Sequence, residues 1–246
     1  MAAIIRIENL KRDFQVGSEV VHALKGVSFE INEGEFVSIM GTSGSGKSTM
    51  LNILGCLDKP TGGEYYIDEI AVSVRSKDEL AFVRNRKIGF VFQSYNLLAR
   101  TSAIENVELP LLYNHEISAK ERHERAVYAL EQVGLQDRMG HMPNQLSGGQ
   151  QQRVAIARAI VNNPVILLAD EATGNLDTRT SYEIMSLFQK LHAEGKSIVF
   201  VTHEPDIAEF TSRTIMLRDG RVMKDYSNTP KSAQAALEAL PPSDDY

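Results

Sequence analysis

The sequence predicts an α/β fold, and three apolar runs carry that prediction. Glu35-Phe36-Val37-Ser38-Ile39-Met40 suits a strand buried on both faces, and glycines follow it at once. Val165-Ile166-Leu167-Leu168-Ala169 is a second such run, ending in Asp170 and Glu171. Ser197-Ile198-Val199-Phe200-Val201-Thr202 is a third, ending in His203. Helical patterns separate these runs, and strands alternating with helices build open α/β sheets.

The elements follow in order. Strands are expected at Ile4–Glu8, Val20–Ile31, Glu35–Met40, Glu64–Asp68 and Lys87–Phe92. Met50, Leu51, Ile53 and Leu54 keep helical spacing from Ser48 to Gly55, and Asp58-Lys59-Pro60-Thr61-Gly62-Gly63 reads as a turn. From Ser94 to Asn163 the chain reads as mostly helical. Ser118-Ala119-Lys120-Glu121 opens one helix with a capping box; Ala126, Val127, Leu130 and Val133 continue it, and Gly134 closes it. Thr178–Glu194 is a helix, and Thr214–Leu217 and Arg221–Lys224 are strands joined at Asp219-Gly220. One domain of 246 residues results, with 1–93 and 165–227 strand-bearing, 94–164 helical, and 228–246 a loose tail holding at most a short helix at Ala233–Leu240.

Composition narrows the function classes. The chain is 43% hydrophobic, enough for a sizeable core, and its net charge of −6 argues against a nucleic-acid partner. The single cysteine, Cys56, sits in an apolar stretch and reads as a packed core residue. No apolar run approaches the ~18 residues of a membrane span. The start at Met1-Ala2-Ala3 lacks a signal-peptide layout, so the chain reads as cytosolic.

Two segments carry phosphate chemistry. Gly41-Thr42-Ser43-Gly44-Ser45-Gly46-Lys47-Ser48-Thr49 fits the P-loop pattern. Its glycines let backbone N–H groups approach phosphate oxygens, Lys47 adds a point charge, and Ser48 offers a hydroxyl to Mg²⁺. These features imply ATP or another nucleoside triphosphate. Asp170 suits a magnesium-holding carboxylate, Glu171 a group that polarises water, and His203 a contact to the γ-phosphate or the attacking water. Gln93, at the end of its strand, offers an amide oxygen to the metal. Leu146-Ser147-Gly148-Gly149-Gln150 is the second segment. Ser147 and Gln150 form a capping box, but two glycines in a first helical turn cost roughly 0.5–1 kcal/mol each. The cost fits a helix start that an anion must approach closely. Lacking a lysine of its own, this segment points to a site assembled from two chains.

With these motifs in hand, the chain resembles the ATP-binding subunits of ABC transporters, over nearly its whole length to about Lys224. Leu146–Gln150 resembles the family signature residue for residue, and Gln93, Gly174-Asn175-Leu176-Asp177 and His203 match its Q-loop, D-loop and switch histidine. Phe14 falls where the family has an adenine-stacking aromatic, without the usual tyrosine hydroxyl. Ile39-Met40-Gly41, Leu57–Thr61 and Asn144-Gln145-Leu146 resemble the macrolide-export and lipoprotein-release type. Two departures stand out: Ala172 replaces the proline usual after the catalytic glutamate, and Thr42 replaces a common proline in the P-loop. The turn carrying Glu171 is therefore expected to be looser.

The resemblance implies a RecA-like P-loop NTPase core, an N-terminal antiparallel β subdomain and an inserted helical subdomain. It implies a head-to-tail homodimer clamping two Mg-ATP, opening after hydrolysis, and peripheral on the inner face of the membrane. The partner is a permease-like membrane subunit, through which a periplasmic or adaptor protein is reached. The apolar stretch Tyr95–Thr101 with Val107, Leu109, Leu111, Leu112 and Tyr113 lies in the region that, by this resemblance, forms the groove for that subunit; most of these residues are expected in the core of the helical part and a few at the interface. Competing functions are a soluble ABC ATPase of an assembly or repair complex, and an ATP-binding regulator that barely hydrolyses; Glu171 and His203 argue against the latter.

Overall fold

The computed structural model describes residues 3–241. The first two residues of the predicted start and residues 242–246 of the predicted tail lie outside it. Strands β1 (Ala3–Val16) and β2 (Glu19–Asn32) form a long antiparallel hairpin. The sequence predicts only Ile4–Glu8 for the first, because the polar Lys11-Arg12-Asp13 breaks the alternation where register shifts occur. Strand β3 (Phe36–Met40) leads through the glycines into α1 (Lys47–Leu54), followed by β4 (Gly62–Ile67) and β5 (Ile70–Ala71). A helix not expected from the sequence, α2 (Lys77–Lys87), precedes β6 (Ile88–Phe92).

The next zone holds α3 (Ala103–Glu108), a 3-10 turn at Leu109–Tyr113, α4 (Ala119–Gln132) and α5 (Gly148–Ile160). Ser118 caps α4 by accepting from Glu121 N–H at 3.2 Å. Strand β7 (Ile166–Asp170), α6 (Thr178–Ala193), β8 (Ser197–Thr202), the short α7 (Pro205–Ala208), β9 (Arg213–Arg218), β10 (Arg221–Ser227) and α8 (Ala233–Glu238) complete the chain. The β9–β10 turn has positive φ at both Asp219 (50°) and Gly220 (78°), as a two-residue hairpin requires.

Two sheets result. One has the order β2-β1-β4-β5; the other runs β10-β9-β3-β8-β7-β6, with β3, β6, β7, β8 and β9 parallel. The strands of the larger sheet feed two cores by strict alternation. Phe36, Leu167, Ala169, Ile198 and Phe200 pack under α4, α5 and α6. Val37, Ile39, Ile166, Leu168, Val199 and Val201 pack under α1 and the hairpin strands. The period of two places successive side chains on opposite faces, so both faces are covered and the runs read as continuously apolar. Cys56 is in the second core, where burial pushes its thiol up to about 12.

The short helix expected at Ala233–Leu240 is present as α8, but as far as residue 241 the tail is held down rather than loose. Ala233 is fully buried, Gln189 of α6 accepts from Ala233 N–H at 2.9 Å and donates to Lys231 O at 2.7 Å, and α8 lies along α6. Its short apolar face finds a partner helix that sequence spacing alone does not reveal.

Candidate functional site

Strand register builds the site. Met40 of β3 pairs with Thr202 of β8, Val201 of β8 with Asp170 of β7, and Asp170 with Phe92 of β6. These strands end level, so Gly41, Gln93, Glu171 and His203 all leave the sheet at one edge, where open α/β sheets hold ligands.

The loop after β3 can be built only from small residues. A Cβ on Gly41 would lie 2.3 Å from Leu217 O, and Gly46 adopts φ 103°. No side chain caps the start of α1, so its amides are offered to an anion. Lys47 is only 8% exposed, and its ammonium donates to Gly41 O (2.7 Å) and Thr42 O (3.0 Å). A buried charge resting on carbonyls rather than a carboxylate is poorly compensated, which favours an incoming polyphosphate. Thr42, where a proline is common, lends its carbonyl to this contact.

A cleft of about 980 Å³ gathers half of the predicted residues: Gly41, Thr42, Ser43, Gly44, Gly46, Lys47, Ser48, Thr49, Glu171 and His203. Ser45 lies beneath the loop, 2% exposed, its hydroxyl without a partner. Part of the wall went unpredicted: Val21, His22, Ala23 and Lys25 of β2, and Asp219-Gly220. These positions carry no motif; the hairpin's curl over the loop brings them there.

At the strand end the two acids differ. Burial raises the Asp170 carboxyl above its usual range, and the neighbouring Glu171 charge adds to this while Lys47 opposes it. Glu171 sits in left-handed backbone at φ 44°, its N–H donating to Val201 O at 2.9 Å and its O accepting from Gly174 N–H at 2.9 Å. His203 Nδ1–H donates to Glu171 Oε1 at 2.8 Å. Among the described residues no group of three or more His, Cys, Asp or Glu could hold a metal by itself. The desolvated carboxylate of Asp170 and the Ser48 hydroxyl in the cleft are donors that suit Mg²⁺, which takes few protein ligands and completes its shell with phosphates and water.

Besides Ser45 and Asp170, four predicted features lie outside the cleft wall. The Gln93 amide donates to Asn175 Oδ1 at 3.4 Å, and Asn175 donates back to Gln93 O at 3.1 Å, so the amide packs on Gly174. Phe14 stands opposite Val21, a residue of the wall, with the Arg12 guanidinium 4.3 Å over its ring. Asp177 caps α6, and its bonds from Thr180 hold its carboxyl below the usual range. Leu146–Gln150 begins α5 elsewhere on the chain, with Ser147 Oγ accepting from Gln150 N–H (3.3 Å) and Gln150 Oε1 from Ser147 N–H (3.0 Å). Its glycines also have a reason within the chain. A Cβ on Gly149 would stand 2.5 Å from Thr180 Cγ2, and one on Gly148 2.9 Å from the Tyr95 hydroxyl. Close packing therefore explains them in part, where the sequence offered only an approaching anion.

The family model described as ABC transporter matches residues 24–174. The chain belongs to that family. It is an ATP-binding, ATP-hydrolysing cassette, and the RecA-like core with its added β and helical parts stands as expected. An ABC transporter ATP-binding protein of Bacillus subtilis (strain 168), YknY, is 57% identical over 220 residues, covering 89% of this chain and 95% of that relative. The ABC chain's likeness extends to the macrolide export ATP-binding/permease protein MacB of Chlorobaculum tepidum, 49% identical over 241 residues. The match covers 96% of this chain and 37% of MacB. The solved cassette MJ0796, from Methanocaldococcus jannaschii, is a dimer in a post-hydrolysis state bound to ADP and Pi. It superposes with a TM-score of 0.83 at 52% identity, covering 91% of this chain and 98% of that one.

Proposed function

We propose that this cassette is the motor of a membrane export or mechanotransmission complex, and that two copies clamp two ATP molecules between them. The observation that carries the reading is the split site. The cleft holds Lys47, the loop amides, Glu171 and His203, while Leu146–Gln150, a second helix start, is not part of its wall. A head-to-tail pair would bring the second onto the first, and the MJ0796 dimer supports that arrangement.

Each residue then has a role. The amides of Gly41–Thr49 and Lys47 hold the phosphates. Phe14 stacks on the base, its ring stiffened by Arg12. Ser48 and Asp170 would hold Mg²⁺, with Gln93 reaching it after leaving Asn175; the ion supplies charge neutralisation at the β- and γ-phosphates. Glu171 is the catalytic residue that polarises the attacking water, and His203 orients that carboxylate. Asp177, and the Ser147-Gly148-Gly149 amides of the opposed copy, complete the interface. Loss of the γ-phosphate removes what those amides read, and the pair opens.

The permease contact has a surface to match. A groove of about 670 Å³ is lined by Phe82, Phe90, Phe92, Leu109, Pro110 and Tyr113, with Tyr113 77% exposed. Val107 and Leu111 of the same stretch are fully buried core of the helical part. A MacB relative joins ATP-binding and permease parts in one chain, which supports a permease segment as the occupant of this groove. The cassette then lies peripherally on the cytoplasmic face, and any periplasmic or adaptor partner is met through the permease. Among the described residues no helix is long and apolar enough to cross a membrane.

Phosphate release by the purified chain, compared with Glu171→Gln, tests the catalytic assignment. The variant is expected to lose roughly 10²-fold or more; equal release by both would remove Glu171 from its role. Co-purification with the permease, lost in Tyr113→Asp, checks the groove.

A further inference from the structure

We propose that Gln152 is a positioning residue for Glu171, tying the α5 helix start that meets a second copy's nucleotide to the carboxylate of its own cleft. This rests on the proposed role of Glu171. Gln152 lies one turn into α5 and is fully buried. Its Nε2 donates to Ala172 O at 2.8 Å, the carbonyl next after the catalytic carboxylate. The bond crosses from the helical part to the strand end that bears Glu171.

Three features make that bond matter for position. Glu171 holds a left-handed φ of 44°, a conformation a glutamate keeps only when its surroundings impose it. Residue 172 is alanine, so no proline ring fixes the following turn. A proline ring would fix φ at residue 172, and the Gln152 bond restrains the same residue from its other side, at the Ala172 carbonyl. The same glutamine is also a poor choice for stability alone. Its Oε1 is buried without a partner, as is the hydroxyl of Thr173 on the same turn. A half-satisfied buried amide is destabilising relative to a well-packed apolar side chain. Its use lies in what the satisfied half grips. A shift of α5 when its start engages nucleotide is thereby transmitted to the Ala172 carbonyl, and the two sites of the pair are coupled through this amide.

Gln152→Met keeps length and removes the donor. Expected are an unchanged or raised Tm, a KM for ATP and an ADP affinity within about twofold, and a kcat lowered about tenfold or more. In a Glu171→Gln background the variant should still dimerise with Mg-ATP. Adding Ala172→Pro should recover most of the lost kcat, since Ala172 N–H makes no hydrogen bond among the described residues. A purely structural glutamine would not be rescued in this way. A kcat within about twofold of the parent overturns the proposal. So does a loss of kcat matched by a loss of dimer, which would place the effect at the helix start. Equal hydrolysis by the parent and Glu171→Gln would overturn the Glu171 reading itself, and it is seen without any Gln152 variant. Should Gln152→Met not fold, Gln152→Leu, likewise apolar and without the donor, takes its place with the same expectations.

Discussion

Helix α1 begins at Gly46 with φ 103° and no side-chain cap, whereas α5 begins at Ser147 with a complete capping box. The first start leaves its amides open and places a buried, poorly compensated ammonium beside them. It is made to take up a highly charged ligand without help. The second start satisfies itself: Ser147 and Gln150 occupy each other's N–H groups, and the glycines pack on Thr180 and Tyr95. Such an end is stable with nothing bound and contributes only amide dipoles, without a formal charge. On the proposed reading one chain carries a strong phosphate site and a weak one, and the weak one would bind only when a second chain already presents the nucleotide.

The largest break in this asymmetry is Lys47→Ala. Phosphate release should fall by roughly 10³-fold or more and ATP binding should weaken with it, while Tm changes little or rises because a buried charge is gone. Asp170→Asn comes next. Turnover should drop by about 10²-fold or more, measured as Mg²⁺-dependent phosphate release, and the nucleotide-free protein should become more stable. The sign follows from the raised Asp170 pKa. The folded state holds that proton more tightly than the unfolded chain. Free protein therefore gains stability as pH falls through the raised value toward the ordinary aspartate range, and loses it as pH rises. Thermal melts across that window should flatten in Asp170→Asn.

Two smaller changes sharpen the other side of the comparison. In Gly149→Ala the new Cβ meets Thr180 Cγ2, and ATP-driven dimerisation should weaken about tenfold, with a Tm loss of a few degrees. Adding Thr180→Ser removes the clashing methyl. Tm should return while dimerisation stays weak if the amides also meet phosphate; recovery of both would mean the glycine serves packing alone. Ser147→Ala removes one cap and should cost about 1 kcal/mol, read by denaturant unfolding, with ATP affinity of the single chain unchanged.

Much of the site was legible because its chemistry is written in contiguous residues. Gly41–Thr49, Asp170-Glu171 and His203 each follow an apolar strand, and parallel register alone aligns their ends. What escaped depends on packing between distant segments. Helix α2 has only Leu80 and Val83 buried, too narrow an apolar face for periodicity to detect. Its capping box, Ser76 with Glu79, was nonetheless present in the sequence. The same helix supplies Phe82 to the groove, so missing it left the groove half described. The hairpin wall of the cleft, the seat of α8 on α6 and the intrachain reason for Gly149 each depend on packing between segments far apart in the chain. So does the restraint on Glu171, whose turn looked loose without a proline but is held by Val201, Gly174, His203 and, through its neighbour, Gln152.

The most direct measurement is the mass in solution of Glu171→Gln, by sedimentation or light scattering, with saturating Mg-ATP and then with Mg-ADP. A dimer under the triphosphate and a single chain under the diphosphate is the predicted result. A single chain under both, with ATP shown to be bound, would contradict the idea that the two unequal helix starts close on one nucleotide from opposite copies.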